Sequence, residues 1–257
     1  MKLTVSDLSF SYENTPILQS VSFQADPMVT AVIGPNAAGK STLLKCIAGL
    51  LKHRGRVALD GREMDGDVAR KVSYLPQEIG SPAALTVLEA VLLGRHSSLS
   101  WRVSEEDLGL AFGVLEDLGL EDLASRPINQ LSGGQNQMVS IAQSLVKGPE
   151  VLLMDEPTSS LDLRRQLEIF DLVREVTVER EIITLVALHD LNLAARYADS
   201  VIVLNKGRVH IAGGPRETLN SEMISSVYGV RSEVYTDDEG LPVVVPKGSA
   251  KRRRHKR

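Results

Sequence analysis

Residues 34–41, Gly34-Pro35-Asn36-Ala37-Ala38-Gly39-Lys40-Ser41, fit the pattern G-x-x-x-x-G-K-[ST]. They stand between a compact, β-branched apolar run, Val29 to Ile33, and a helical stretch that starts at Lys40 or Ser41 and is stopped by Gly49. Few features constrain a fold so tightly. A buried strand that turns through glycine straight into a helix aims free backbone N–H groups and the positive end of the helix dipole into the loop. A chain of phosphates suits that cradle. The backbone around Gly34, Asn36, Ala38 and Gly39 is expected to wrap a nucleoside triphosphate. Lys40 is expected to reach the β- and γ-phosphates, Thr42 to bond a phosphate oxygen, and Ser41 to ligate Mg²⁺.

The rest of the chain sorts by periodicity. Residues 3–26 alternate apolar and polar, as antiparallel strands with one buried face do. Arg56 to Leu59 with Asp60-Gly61 reads as a hairpin arm, and Val72 to Leu75 as a strand. From Thr86 to about Val146 the pattern turns helical. Ser104 is a plausible cap ahead of Glu105, Glu106 and Asp107, and Leu108, Ala111, Phe112, Leu115 and Leu118 recur at helical spacing. Beyond that, strands at 151–154, 182–188 and 201–204 alternate with helices at 163–178 and 191–197, which implies a parallel sheet covered on both faces. The turn Asp237-Asp238-Glu239-Gly240 between two valine-rich pieces implies a terminal hairpin at 231–246. The expected fold class is α/β, with a mostly parallel core sheet, an N-terminal antiparallel β subdomain and an inserted α-helical subdomain at about 83–146. One domain spans 1–230, the hairpin follows, and 247–257 is a basic tail expected to be disordered.

Composition narrows the setting. The longest apolar run, Ile182 to Leu188, is far short of the roughly 20 residues that cross a bilayer. The start, Met1-Lys2-Leu3-Thr4, lacks the layout of a signal peptide, so a cytoplasmic protein is expected. The single cysteine, Cys46, reads as a small buried apolar residue. Six of the 29 Lys and Arg lie in residues 251–257, so the remainder is more acidic than the net charge of −4. Basic residues near an anionic lipid surface would contribute about 1 kcal/mol each; a solvated end is the simpler reading of that tail.

Two further motifs say which kind of phosphate-binding chain this is. Leu131-Ser132-Gly133-Gly134-Gln135 lies well downstream of the loop, and an apolar run, Val151 to Met154, ends in Asp155-Glu156. After such a loop, an acid at the end of a buried strand holds Mg²⁺, and two adjacent carboxylates point different ways and can divide the work. With these motifs the chain resembles the ATP-binding subunits of ABC transporters, over roughly residues 2–246. The resemblance implies ATP as the nucleotide. It implies Glu156 as the general base that polarises the attacking water, Gln77 as the glutamine that contacts Mg²⁺ or that water, and His189 as the histidine that contacts the γ-phosphate. Asp162 would cross a dimer interface and Tyr12 would stack on adenine. Ser132, Gly133, Gly134 and Gln135 would bind the γ-phosphate held by a second copy, so that two chains close around two ATP molecules.

The chain departs from the family at Ala37, where glycine is usual, and at Asn136, Met138 and Gln143, in a helix that usually carries arginines. Should position 37 need a positive φ, alanine costs roughly 1 kcal/mol there. Val91-Leu92-Leu93-Gly94-Arg95-His96, the run His189 to Asp199, and Val227-Tyr228-Gly229-Val230 resemble the importer branch for iron–siderophore, haem or cobalamin. Iron–siderophore import is the first reading, haem or cobalamin import the alternative, and a soluble, non-transport ABC ATPase a third. Implied partners are a second copy, polytopic permease subunits and, indirectly, a substrate-binding protein, at the cytoplasmic face of the membrane. No nucleic-acid partner is expected.

Overall fold

The computed structural model describes residues 1–64, 66–77, 85–95, 103–159 and 161–250. His96, Ser160, the start of the expected helical insertion at 83–84 and the basic run 251–257 lie outside the described residues. Alternating apolar side chains give β1 (Leu3–Tyr12) and β2 (Thr15–Ala25), which pair antiparallel. Next come β3 (Val29–Ile33), buried at every position, and α1 (Lys40–Ile47). Then follow β4 (Arg54–Leu59), β5 (Arg62–Glu63), the short α2 (Gly66–Ala69) and β6 (Val72–Leu75). Among the described residues, three α-helices, α3 (Val87–Leu93), α4 (Glu105–Asp117) and α5 (Gly133–Leu145), come between β6 and β7 (Val151–Asp155). The chain continues through α6 (Leu163–Glu179), β8 (Ile183–Leu188), α7 (Leu191–Tyr197), β9 (Ser200–Asn205) and β10 (Arg208–Gly213). It ends with α8 (Pro215–Thr218), α9 (Ser221–Tyr228), β11 (Val230–Thr236) and β12 (Pro242–Ser249).

The central sheet runs β10-β9-β3-β8-β7-β6, parallel throughout except for the β9–β10 pair. The two-residue period of its strands divides the core in two. Val32, Leu153, Leu185 and Ile202 face α1 and the antiparallel sheet β2-β1-β4-β5. Ala31, Met154, Val186 and Val203 face the helices on the other side. Cys46 is buried on α1, and burial pushes its thiol up to about 12, so it stays a protonated apolar filler.

The helix starts follow cap chemistry. Thr86, Ser104 and Ser132 each begin a helix with a reciprocal capping box, to Glu89, Asp107 and Gln135 respectively. Two expectations change in detail. Phe112, taken with the inward series of α4, is 46% exposed, while Ala111 and Leu115 are fully buried. At ~100° per residue Phe112 falls at the edge of the stripe set by Ala111, Leu115 and Leu118, and α4 packs on one side only. The terminal hairpin is also longer than residues 231–246. β12 runs to Ser249, so residues 247–249 are strand and not tail. Lys247 pairs with Glu233 across the two strands at 2.8 Å, and Ala250 N–H donates to the Gly229 carbonyl at 2.7 Å. Val244 enters the main core.

Candidate nucleotide site

The loop between β3 and α1 is shaped by close approaches. A Cβ at Gly34 would lie 2.3 Å from the Leu204 carbonyl oxygen. Gly39, the residue before α1, sits at φ 103, and a Cβ there would meet Leu18 at 2.7 Å. No side chain among the described residues caps α1, and its first turn carries no acid. The helix therefore presents unneutralised N–H groups and its positive end to the loop, which fits an anion. Asn36 and Ala37 are exposed on the loop, Ala38 is buried, and Thr42 is half-buried in the first turn.

Ala37 does adopt a left-handed backbone, φ 63. Glycine tolerates that region and alanine is strained in it by about 1 kcal/mol. Replacing Ala37 with glycine is expected to raise the melting temperature by about 2–4 °C for a chain of this size, measured by calorimetry without nucleotide. An unchanged or lower value would show that the loop is not strained at this position.

Five elements deliver their chemistry to one place. Lys40 is only 6% exposed; its Nζ donates to the Gly34 carbonyl at 3.1 Å and lies 3.8 Å from Glu156 Oε1. Gln77 Nε2, just past β6, donates to Glu156 Oε2 at 3.1 Å. His189 Nδ1, just past β8, lies 3.8 Å from the same oxygen. Glu156 itself follows β7 at φ 48, a left-handed backbone uncommon for a side chain of its size. That strain sits where three side chains converge, as strained residues at functional positions often do.

One residue earlier, Asp155 is buried at the end of β7. The Ser41 hydroxyl donates to its Oδ1 at 2.9 Å, and the Tyr74 phenol to its Oδ2 at 3.2 Å. Burial, then the charge and hydrogen bond of Asp155, push the Tyr74 phenol well above its ordinary value, with a further push from Tyr12. Tyr74 remains a donor at neutral pH and orients the carboxylate. A hydroxyl and a carboxylate at this spacing form a hard-oxygen pair of the kind that fits Mg²⁺. Tyr74 was not among the residues singled out from sequence; its place on β6, beside the strand that ends in Asp155, is the signal that could have found it. Tyr12 is 50% exposed at the end of β1, its ring edge-on to Phe10 with centroids 4.7 Å apart.

The remaining site candidates gather elsewhere. Ser132 caps α5: its hydroxyl accepts from Gln135 N–H at 3.3 Å, and its own N–H donates to Gln135 Oε1 at 2.9 Å. Gly133 is exposed and Gly134 buried behind it. Asp162 caps α6, accepting from Arg165 N–H at 3.0 Å. The side chain of Arg165 lies over Gly134, where a Cβ would meet its Cδ at 3.1 Å. An arginine does sit at the start of α5, then, but α6 supplies it. Asn136 and Gln137 each bury one amide atom with no hydrogen-bond partner among the described residues. Met138 packs on the core, and Gln143 is half-buried further along α5. Among the described residues, the hydrogen bonds of Ser132 and Gln135 stay within the start of α5 and reach neither Lys40 nor Glu156.

Comparison with known proteins is consistent from end to end. The family model for the ABC transporter matches residues 18–159. An uncharacterized ABC transporter ATP-binding protein of Methanocaldococcus jannaschii is 43% identical, over 96% of this chain and 99% of that protein. The iron(3+)-hydroxamate import ATP-binding protein of Bacillus subtilis is 37% identical, over 91% of this chain and 90% of its own. Among solved structures, a chain from an inward-facing ABC transporter assigned to the metal-chelate type superposes with a TM-score of 0.84 at 28% identity, covering 95% of this chain and 96% of that one.

Proposed function

The chain belongs to the ATP-binding subunits of ABC transporters, and from that premise we propose that it is the ATP-hydrolysing motor of a metal-chelate importer, with an iron–siderophore complex as the first candidate cargo. The fold is the P-loop ATPase fold of that family, and the chain is an ATPase. The convergence of Lys40, Gln77 and His189 on Glu156 is the observation that most supports the hydrolytic reading. The cargo rests on the iron(3+)-hydroxamate importer among the relatives; haem or cobalamin is the alternative.

In this reading Lys40 and the uncapped start of α1 bind the β- and γ-phosphates of ATP, and Tyr12 stacks on the adenine. Ser41, Asp155 and Gln77 hold Mg²⁺, which when bound neutralises charge on the phosphate oxygens. Glu156 accepts a proton from the attacking water, while His189 and Gln77 keep its carboxylate and that water in line. Lys40 exchanges its contact with Glu156 for the γ-phosphate and frees the carboxylate for that work.

The placement of Ser132–Gln135 on α5, apart from the Lys40–Glu156 cluster, supports a two-chain site. Each copy supplies a phosphate cradle to one ATP and a capped helix start to the other, with Asp162 beside the seam. ATP closes the pair because it binds the closed form better, and hydrolysis releases it. No helix of the described residues is long and apolar enough to cross a membrane. In this reading the chain acts on transport through permease subunits, docked at the cytoplasmic face, with a binding protein delivering cargo on the other side.

The test is affinity purification of the chain from gently solubilised native membranes, followed by mass spectrometry. A stoichiometric polytopic membrane protein is expected, and its identity narrows the cargo for uptake assays. Reproducible recovery of soluble partners alone would overturn the transporter reading in favour of a soluble ABC ATPase.

A further inference from the structure

Beside the apolar packing of Val244, the carboxy-terminal hairpin meets the core through a small polar joint. The side-chain amide of Asn192 grips a single residue of β12. Val244 N–H donates to Asn192 Oδ1 at 2.8 Å, and Asn192 Nδ2 donates to the Val244 carbonyl at 3.3 Å. Both backbone groups of Val244 thus point away from β11. Residues 242 and 246 lie on the same side of the strand by its two-residue alternation. Both are proline, so among these three positions Val244 alone carries an N–H. The amide of Asn192 takes the place of a third strand at that point.

Asn192 sits in the first turn of α7, three residues after His189. Asp190 caps this turn, accepting from Asn192 N–H at 2.8 Å and from Leu193 N–H at 3.1 Å. His189 enters directly from β8 and is otherwise half exposed, 3.8 Å from Glu156. A short run of bonds therefore leads from the hairpin through Asn192 and the Asp190 cap to the histidine. Packing across this seam is incomplete. A cavity of about 370 Å³ opens there, lined by His189, Tyr228, Val230, Val244 and Pro246 among others. Beside the packing of Val244 into the core and the contacts of Arg196 and Arg216 with Glu239, the two amide hydrogen bonds tie β12 directly to the turn that carries His189.

We propose that Asn192 is a positioning residue for ATP hydrolysis: through its grip on Val244, the carboxy-terminal hairpin holds the turn that aims His189. The inference rests on the role assigned to His189 in the proposed function. Loss of the grip lets the turn shift while the phosphate cradle, held by its own close approaches and by the bond from Lys40 to the Gly34 carbonyl, stays intact. Such small misplacements of a catalytic group lower turnover and leave ground-state binding alone.

The test uses the full-length chain and measures kcat, KM and ATP affinity. Asn192→Ala is expected to lower kcat about tenfold, with KM and ATP affinity within about twofold of the parent. Val244→Pro removes the same bond from the other side, at a position where no partner strand uses the N–H, and is expected to cause a similar fall. The double variant should be no slower than the worse single one, because both act through one contact. Unchanged kcat in Asn192→Ala would overturn the proposal, as would losses that multiply in the double variant, or a parallel loss of ATP affinity. His189→Ala separates the two levels. If it turns over ATP normally, the reading of His189 fails. If it is inactive while Asn192→Ala is unaffected, only the present inference fails.

Discussion

A chain with glutamine in place of Glu156 is expected to bind ATP as the parent does, to hydrolyse it about 10²–10⁴ times more slowly, and to persist as a closed dimer in ATP and Mg²⁺. Glutamine matches the size and reach of glutamate, so the turn after β7 and its φ of 48 should survive the exchange. Gln77 can still donate to the remaining side-chain oxygen, as it does at 3.1 Å now. The substitution removes the negative charge that Lys40 and His189 face at 3.8 Å, and with it the basicity needed to take a proton from water. Binding is spared because the phosphates are held by α1, its loop and Lys40, none of which depends on proton transfer. Size-exclusion chromatography with light scattering reads the dimer, and phosphate release reads the rate. A variant that stays monomeric in ATP and Mg²⁺ would count against closure around nucleotide, and one that hydrolyses normally would remove Glu156 from the role of base.

Replacing Lys40 with alanine is expected to have the opposite signature: ATP binding itself is lost, with Kd rising about 100-fold or more. A charge-assisted hydrogen bond is worth roughly 1.5–3 kcal/mol, and Lys40 is placed to make such bonds to two phosphates. Its ammonium is already desolvated at 6% exposure and bonded to the Gly34 carbonyl, so little further ordering is needed when a phosphate arrives. Titration calorimetry measures the affinity, and melting without nucleotide checks that the fold is retained. Unchanged affinity in a folded variant would show that the loop does not carry the nucleotide.

Much of the architecture was legible because it is locally encoded. The span of α7 follows from its apolar spacing, and the start of α4 from Ser104 followed by three acids; both are written in neighbouring residues. The motifs likewise pointed to Lys40, Gln77, Glu156 and His189, whose side chains lie together. What could not be read are contacts made where elements cross. Arg165 over Gly134 depends on how α6 passes α5, and the Tyr74 phenol on Asp155 on the β6–β7 register. The grip of Asn192 on Val244 joins residues 52 positions apart. Phe112 was misjudged because periodicity finds a stripe but not its width, and the end of β12 because Lys247 looked like the first residue of a basic tail when it is a cross-strand partner.

The outward side of β12 has one more consequence, for how the protein survives at high concentration. A strand with unpaired N–H and carbonyl groups along its flank is a template on which another chain can add itself, the first step to aggregates. Here two prolines remove donors from that flank, and Asn192 occupies the one between them. On this flank the hairpin is therefore closed to a third strand from a neighbour. Solubility and the posture of the catalytic turn hang on the same amide, so the segment is under two separate demands, and substitutions that loosen it should be visible as turbidity on storage as well as in turnover.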